Sequence, residues 1–351
     1  MPYKTPDNSI IGWDVGGAHL KAALIDGKGR VHKVLQLPCP LWQGLPHLER
    51  ALSEALNQLD EPDALHALTM TGELADIFPN RAAGVAAIIN LAQKKLQTVK
   101  VFAGGKGFVR PAQAKKLAED VASANWLASA AFAAARVKEA LLVDIGSTTT
   151  DFILLKNGKV QARGFNDHRR MVYGELVYAG VTRTPVMAAV SRVPFAGEWV
   201  GVMAELFATM ADVYRLSGEL PEAADQMPAA DGGEKTVRGS ARRLARMVGL
   251  DLESAPLADW KGLAAYIAER QLQRLLAACV RQLSSGVVGD KAPLIGAGVG
   301  RFVARKLALR CSRGYRDFSS LVQSRLSDAE WVNGCAPAVA VALLARSAAG
   351  A

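Results

Sequence analysis

The sequence predicts an α/β protein built from two related domains with a ligand cleft between them. Three observations lead there. The chain has 351 residues, which suggests two domains rather than one. Half of the residues are apolar, enough for a sizeable core in each half. A short apolar run ending in an aspartate and a glycine turn occurs twice, as Gly12-Trp13-Asp14-Val15-Gly16-Gly17 and as Val143-Asp144-Ile145-Gly146-Ser147. Each copy heads the same succession of strand, turn, strand, hairpin and strand, and such a repeat argues for two domains of one fold facing each other.

The elements follow in order. Ile10–Val15 reads as a buried strand, Leu20–Ile25 as a second, and Val31–Leu37 as a third, with a hairpin turn at Asp26-Gly27-Lys28-Gly29. Leu48, Leu52, Ala55, Leu56 and Leu59 fall on one helical face. Ala64–Met70 is a strand, Ala82–Leu96 a helix, Val99–Ala103 a strand, and Ala118–Val137 a long helix of small residues. The second half restarts with strands at Leu141–Ile145, Asp151–Leu155 and Val160–Arg163, the last two joined by a turn at Asn157-Gly158. Residues 198–217 and 257–284 are helical by period, the second with Ala268, Leu272, Leu275, Leu276, Cys279 and Leu283 on one face. Residues 218–240, rich in Gly, Pro, Asp and Ala, read as an exposed excursion. Leu294–Ala297 is a short strand, Phe302–Leu309 a helix, and Ala338–Leu344 a final helix. The expected division is a first domain over 8–138, completed by the helix 336–349. A second domain over 139–335 carries a helical and loop insertion near 198–260.

Composition narrows the function classes. The net charge of +9 and pI near 9.4 suit nucleic acid, an anionic membrane surface or small phosphorylated ligands. They suit a solvated, Arg-rich surface equally. Only 6% of residues are aromatic, and no segment interleaves them with basic residues, so no nucleic-acid partner is expected. Cys39, Cys279, Cys311 and Cys335 form no CxxC pair, which argues against a zinc site or disulfide framework and for reduced thiols in the cytoplasm. Met1 to Ile11 lacks the pattern of a signal peptide, and no apolar run is long enough to span a bilayer. No membrane partner is expected. Self-association is left open.

The repeated turns suit a polyphosphate. Without a Cβ, the backbone can approach an anion and aim successive N–H groups at it. Gly16-Gly17 and Gly146-Ser147-Thr148-Thr149 supply such turns, and Ser147, Thr148, Thr149 and Thr150 add hydroxyl donors. His19 and Lys21 add positive charge near the first turn. An aspartate at the end of each opening strand would repel phosphate unless a cation intervenes, so Asp14 and Asp144 imply Mg²⁺, held directly or through water. Each can otherwise simply cap its own turn. Asp151 is a candidate partner of these groups or a general base.

Other candidates are each open to a plainer reading. Ile295-Gly296-Ala297-Gly298-Val299-Gly300-Arg301 follows a strand and precedes a helix, so Gly296, Gly298 and Gly300 can form a wall against a nucleoside or another planar group. Glu73 follows a strand end and is either a cleft acid or a first-turn acid of a helix. Asn125 and Trp126 are substrate contacts or ordinary packing. Asp167-His168-Arg169-Arg170 is an acid or phosphate clamp, or a charged loop. His32, His47 and His66 lack metal-ligand spacing.

In their order along the chain, these segments resemble the actin-like ATPase and sugar-kinase superfamily. The first phosphate motif lies at Asp14–Asp26, the second at Val143–Asn157, the adenosine motif at Leu294–Leu307, and the connecting helices at 122–136 and 336–345. The resemblance implies two ribonuclease-H-like domains. Asp144-Ile145-Gly146-Ser147-Thr148-Thr149-Thr150-Asp151 is most similar to the hydantoinase and oxoprolinase branch. A narrower likeness is to the tetrahydromethanopterin-linked C1-transfer pathway proteins, a group that includes the methanofuran-biosynthesis condensing enzyme. It rests on Gly12–Ala23, Met70-Thr71-Gly72-Glu73-Leu74-Ala75-Asp76, Ala124-Asn125-Trp126, Tyr173-Gly174-Glu175-Leu176-Val177-Tyr178 and Arg183-Thr184-Pro185-Val186. It implies a transferase that joins an aminomethylfuran-methyl diphosphate to the phenol of a tyramine or tyrosine unit and releases diphosphate. Glu175 and Arg183 become substrate contacts on this likeness alone. Glu73, Asp76, His19 and Asp151 all stay open as the base. ATP is allowed in such a site but not required. An ATP-dependent kinase or hydantoinase-like hydrolase remains the first alternative, and a non-catalytic nucleotide-binding protein the second.

Overall fold

The computed structural model describes residues 9–326 and 329–349. Its first sheet comprises β1 (Ile10–Val15), β2 (His19–Ile25), β3 (Val31–Pro38), β4 (Leu65–Met70), β5 (Val99–Phe102) and β6 (Phe108–Val109), in the order β3-β2-β1-β4-β5-β6. β1 to β3 run antiparallel, whereas β1–β4 and β4–β5 are parallel. All six residues of β1 are buried. Its alternation sends Ile11, Trp13 and Val15 into one core with Leu48 and Leu52 of the helix Leu45–Leu59 and Val85, Ile88 and Ile89 of the helix Arg81–Lys95. On the other side Gly12 receives the helix Ala336–Ala349, and a Cβ at Gly12 would lie 2.0 Å from the Ala338 carbonyl oxygen. That helix also packs on the Ala-rich helix Asn125–Ala134, where small residues permit close approach.

The expected continuous helix over 118–137 is interrupted. Helix Ala118–Val121 stops, Ser123 takes a left-handed backbone (φ 50°), and a second helix begins at Asn125. Composition does not show this break, because Ala118 to Trp126 contain neither Gly nor Pro.

The second sheet comprises β7 (Glu139–Ile145), β8 (Thr150–Lys156), β9 (Lys159–Val160), β10 (Leu176–Val177), β13 (Leu294–Ala297) and β14 (Tyr315–Asp317). Its order is β10-β8-β7-β13-β14, with β9 also on β8. The third strand expected at Val160–Arg163 therefore shortens to two residues. The chain turns away at Gly164, whose missing side chain lets it press on the backbone of Arg170, and Asp167–Tyr173 form a helix.

Residues 198–217 are also not one helix. Arg192–Phe195 (β11) and Glu198–Gly201 (β12) form a hairpin through Ala196 and Gly197, both at positive φ, and only Met210–Leu216 is helical. Its start is fixed by a capping box between Thr209 and Asp212. Within the expected excursion a helix begins at Val237 and runs to Met247. Its many arginines hide an amphipathic pattern in which Ala241, Arg243, Leu244 and Ala245 are buried. The helix Leu257–Leu283 matches its expected span and buries Leu272, Leu275 and Cys279.

By internal packing the described chain divides into two compact units. One runs to Leu142 and adds Ile153–Tyr173 and the chain from Arg316 onward; the other holds Val143–Phe152 and Gly174–Tyr315. None of the four cysteines forms a disulfide bond. No helix among the described residues is long and apolar enough to cross a membrane.

Candidate active-site groups

In the second unit, the Gly146 N–H closes the turn by donating to the Thr149 carbonyl at 2.9 Å. The chain 180–183 lies against this turn. Val181 N–H donates to the Gly146 carbonyl at 3.1 Å, and Arg183 N–H to that of Ser147 at 2.8 Å. Gly180 allows this approach, since a Cβ there would meet the Ser147 backbone at 2.4 Å. The Arg183 side chain donates to the Thr148 hydroxyl at 3.3 Å. Thr148 and Arg183, far apart in sequence, thus form one polar group. Thr150 does not join it: its hydroxyl donates to the Ala179 carbonyl at 2.6 Å.

Asp144 is the penultimate residue of β7 and is buried. Gly298, at φ +79°, turns directly against it: a Cβ there would lie 2.2 Å from the Ile145 carbonyl oxygen and 2.5 Å from Asp144 Oδ1. Gly300 N–H donates to the same Ile145 carbonyl at 2.8 Å. Gly296 is different, because its open side is filled by the Tyr315 ring and hydroxyl. Asp151 pairs with Leu176 across β8 and β10, and the Glu175 carbonyl accepts from Phe152 N–H at 2.8 Å, with Glu175 itself buried.

In the first unit, Gly16 N–H donates to the His19 carbonyl at 3.0 Å, closing the matching turn beside Gly17. Asp14 is buried, stands across β1 and β2 from Lys21, and accepts from Asn125 Nδ2 at 3.4 Å. Burial raises its carboxyl above the usual range, opposed by Lys21 and Asn125. His19 is buried as well. Among the described residues no three His, Cys, Asp or Glu side chains cluster as a metal cage would require. Asp14 and Asp144 belong to different units.

Glu73 is assembled into a group that its sequence neighbourhood does not disclose. Its Oε1 accepts from Ser123 Oγ at 3.0 Å and faces Arg81 Nη1 at 3.4 Å. Arg81 Nη2 bonds Asp167 Oδ2 at 2.6 Å, and Ser123 Oγ lies 3.3 Å from the same oxygen. Gly84 presses the following helix onto the Glu73 backbone. Burial pushes the Glu73 carboxyl upward, against the pull of Ser123 and Arg81. The sequence marks Glu73 and the run Asp167–Arg170, but nothing in it joins them to Arg81 or Ser123. Asp76, three residues beyond Glu73, is not part of the group. Trp126 is buried beneath the guanidinium of buried Arg170, 3.9 Å above its ring. Arg163 and Arg169 flank the ring of Tyr173.

The hydantoinase/oxoprolinase family profile matches residues 64–318. The chain is 35% identical over 246 residues, 70% of its length and 72% of the relative's, to (4-{4-[2-(gamma-L-glutamylamino)ethyl]phenoxymethyl}furan-2-yl)methanamine synthase of Methanocaldococcus jannaschii. It is 32% identical over 115 residues to the Methanococcus vannielii protein of the same name, a match spanning 33% of this chain and 51% of that one. Among solved structures, nucleotide-free acetone carboxylase superposes with a TM-score of 0.55 at 12% identity, over 84% of this chain and 66% of that one. That likeness is one of fold. With two sheets and interleaved helices, the chain is of the α/β class expected from the sequence.

Proposed function

Because the chain belongs to the hydantoinase/oxoprolinase family and, within it, to the methanofuran-biosynthesis synthases, we propose that it is the transferase that joins a furan-methyl diphosphate to a phenolic amine. The relatives' product name contains a phenol ether on a furan methylene, an aminomethyl group and a glutamyl amide. The donor is then an aminomethylfuran-methyl diphosphate, and the acceptor a tyramine or tyrosine unit with or without glutamate.

The observation that carries the reading is the turn Gly146–Thr149 with Arg183 fastened to it. A furan-CH₂ group bearing diphosphate ionises readily, because the ring oxygen shares the positive charge. The difficult part is stabilising the departing diphosphate, which requires donors placed in advance. Ser147, Thr148 and Thr149 offer hydroxyls, the glycine turn offers backbone, and Arg183 offers a fixed guanidinium. Asp14 in one unit and Asp144 in the other are each buried hard-oxygen donors of the kind that suits Mg²⁺, an ion that would neutralise charge on a diphosphate. In the transfer the phenol oxygen bonds to the methylene carbon as the carbon–diphosphate bond breaks, and the phenolic proton passes to a base.

The test is a coupled diphosphate-release assay with the furan diphosphate and tyramine or tyrosine, run beside ATP alone. Release that requires both organic substrates supports the proposal. ATP turnover with a cyclic amide or a sugar would replace it with the ATP-dependent alternative, which the family match also supports.

A further inference from the structure

We propose that Cys279 and Cys311 form a redox-modification site: exposed to a small-molecule disulfide, they close into a disulfide bond that clamps two helices of the second unit together. The inference does not depend on the transfer reaction above.

The two cysteines stand 32 positions apart in sequence, with no motif to link them, and the fold brings their Sγ atoms to 3.9 Å. Bonded sulfurs stand about 2.05 Å apart, so an approach of roughly 2 Å closes the bond. Each thiol is held by a fixed backbone. Cys279 lies near the end of the helix Leu257–Leu283, buried on the face that carries Leu272 and Leu275. Cys311 caps the helix Arg301–Arg310. Two bonds close that helix end: Ser312 N–H donates to the Leu309 carbonyl at 3.0 Å and Arg313 N–H to that of Ala308 at 2.9 Å, with Ser312 left-handed at φ 52°. Beyond the cap, Arg313 Nη1 donates to the carbonyls of Gly289 at 2.7 Å and Ala292 at 3.1 Å. Before it, Arg310 Nη2 reaches both Glu269 carboxylate oxygens at 3.0 Å, across the two helices. Two anchored helix ends therefore bring the thiols together.

Accessibility divides the roles. Cys311 is half-buried and is the thiol that an external disulfide can reach, whereas Cys279 is buried. Oxidation then takes two exchanges. The Cys311 thiolate attacks one sulfur of the external disulfide, forms a mixed disulfide and expels one thiol. The Cys279 thiolate next attacks Cys311 Sγ, forms the internal bond and expels the second thiol. The protein loses two electrons and two protons, and the external disulfide takes them up and leaves as two thiols. Burial pushes the Cys279 thiol up, so the second exchange is the slower one. The loop that the bond closes contains β13 and the turn Gly298–Gly300, where Gly300 N–H holds the Ile145 carbonyl at 2.8 Å. Oxidation thus ties together the chain on both sides of the turn that packs against Asp144.

In the experiment the folded protein is incubated with oxidised glutathione, remaining thiols are blocked before unfolding, and tryptic peptides are read by mass spectrometry. The expected product joins Leu275–Arg281 to Cys311–Arg313 and separates again with dithiothreitol. The oxidised protein should melt about 5–10 °C above the reduced one. Cys311→Ser should yield no joined peptide. Cys279→Ala should stop at a glutathione adduct on Cys311, and Cys279→Val serves the same purpose if the smaller side chain prevents folding. A wild type that stays unmodified, or that stops at the adduct on Cys311, would overturn the proposal. So would a bond made instead to Cys39 or Cys335, which belong to the first unit. A joined protein that melts no higher than the reduced form would overturn the clamp.

Discussion

At the scale of single residues, His66 shows how burial sets chemistry. It is buried in β4 and accepts the Trp13 indole N–H through Nδ1 at 3.1 Å. Burial depresses its pKa to about 4, against an ordinary value of 6.5. The folded protein therefore holds it neutral. Its contribution to stability is complete above the ordinary value and is lost as pH falls from there towards 4. Complete protonation of the unfolded chain across that window is worth about 3 kcal/mol. Urea midpoints measured across this range should fall less steeply in His66→Gln, which keeps an acceptor for Trp13 but cannot titrate. Asp144 makes a prediction of another kind. Asp144→Asn retains the shape that Gly298 packs against, so its thermal transition should stay within a few degrees of wild type. Under the proposed function, with Mg²⁺ held by Asp144, diphosphate release should be abolished in this variant. Full activity in that variant would remove Asp144 from the site.

At the scale of elements, the helices Met210–Leu216 and Val237–Met247 are joined through charge. Arg243, with a fully buried side chain, bonds Asp212 at 2.7 Å and Asp231 at 3.0 Å, and Ser240 Oγ donates to the same Asp212 oxygen at 2.7 Å. Asp212 also closes the capping box of its own helix. Removing one partner of such a buried pair leaves a charge uncompensated, so Arg243→Met should destabilise the protein by about 3–5 kcal/mol in denaturant unfolding. This pair also explains which elements could be read from the sequence. Strands of the first sheet and the helix Leu257–Leu283 announce themselves by apolar period. A helix whose buried face includes an arginine does not, nor does a hairpin whose Ala196-Gly197 turn lies inside a run with helical spacing. The same holds for the candidate groups. Gly146–Thr149 and Asp144 lie in one short segment and are visible as a motif. Glu73, Arg81, Ser123 and Asp167 are drawn from four segments by the fold, and Ser123 acquires its position only because a helix breaks there.

At the scale of the molecule, the first unit is not continuous in sequence. The helix Ala336–Ala349 fills the groove over Gly12, and its residues Ala336 to Leu343 are all buried. A chain ending before Ala336 would expose one face of β1 and lose the partner of the helix Asn125–Ala134. Such a truncation should show no cooperative thermal transition for the first unit by circular dichroism. Retention of a normal transition would mean that the helix is dispensable. The same long connection accounts for what the family likeness adds. Two similar turns can be recognised locally, but the membership of the last helix in the first unit is a property of the whole chain.

That arrangement also has a consequence in time. Gly12 is made well before the backbone that must cover it, at Ala338, which is more than 300 residues later. At typical synthesis rates of about 5–20 residues per second, β1 waits roughly 15 to 65 s for its cover. Throughout that interval β1 is packed on its Ile11, Trp13 and Val15 side and bare on the side of Ile10, Gly12 and Asp14. The nascent chain, more than the finished protein, is therefore the form most in need of a chaperone.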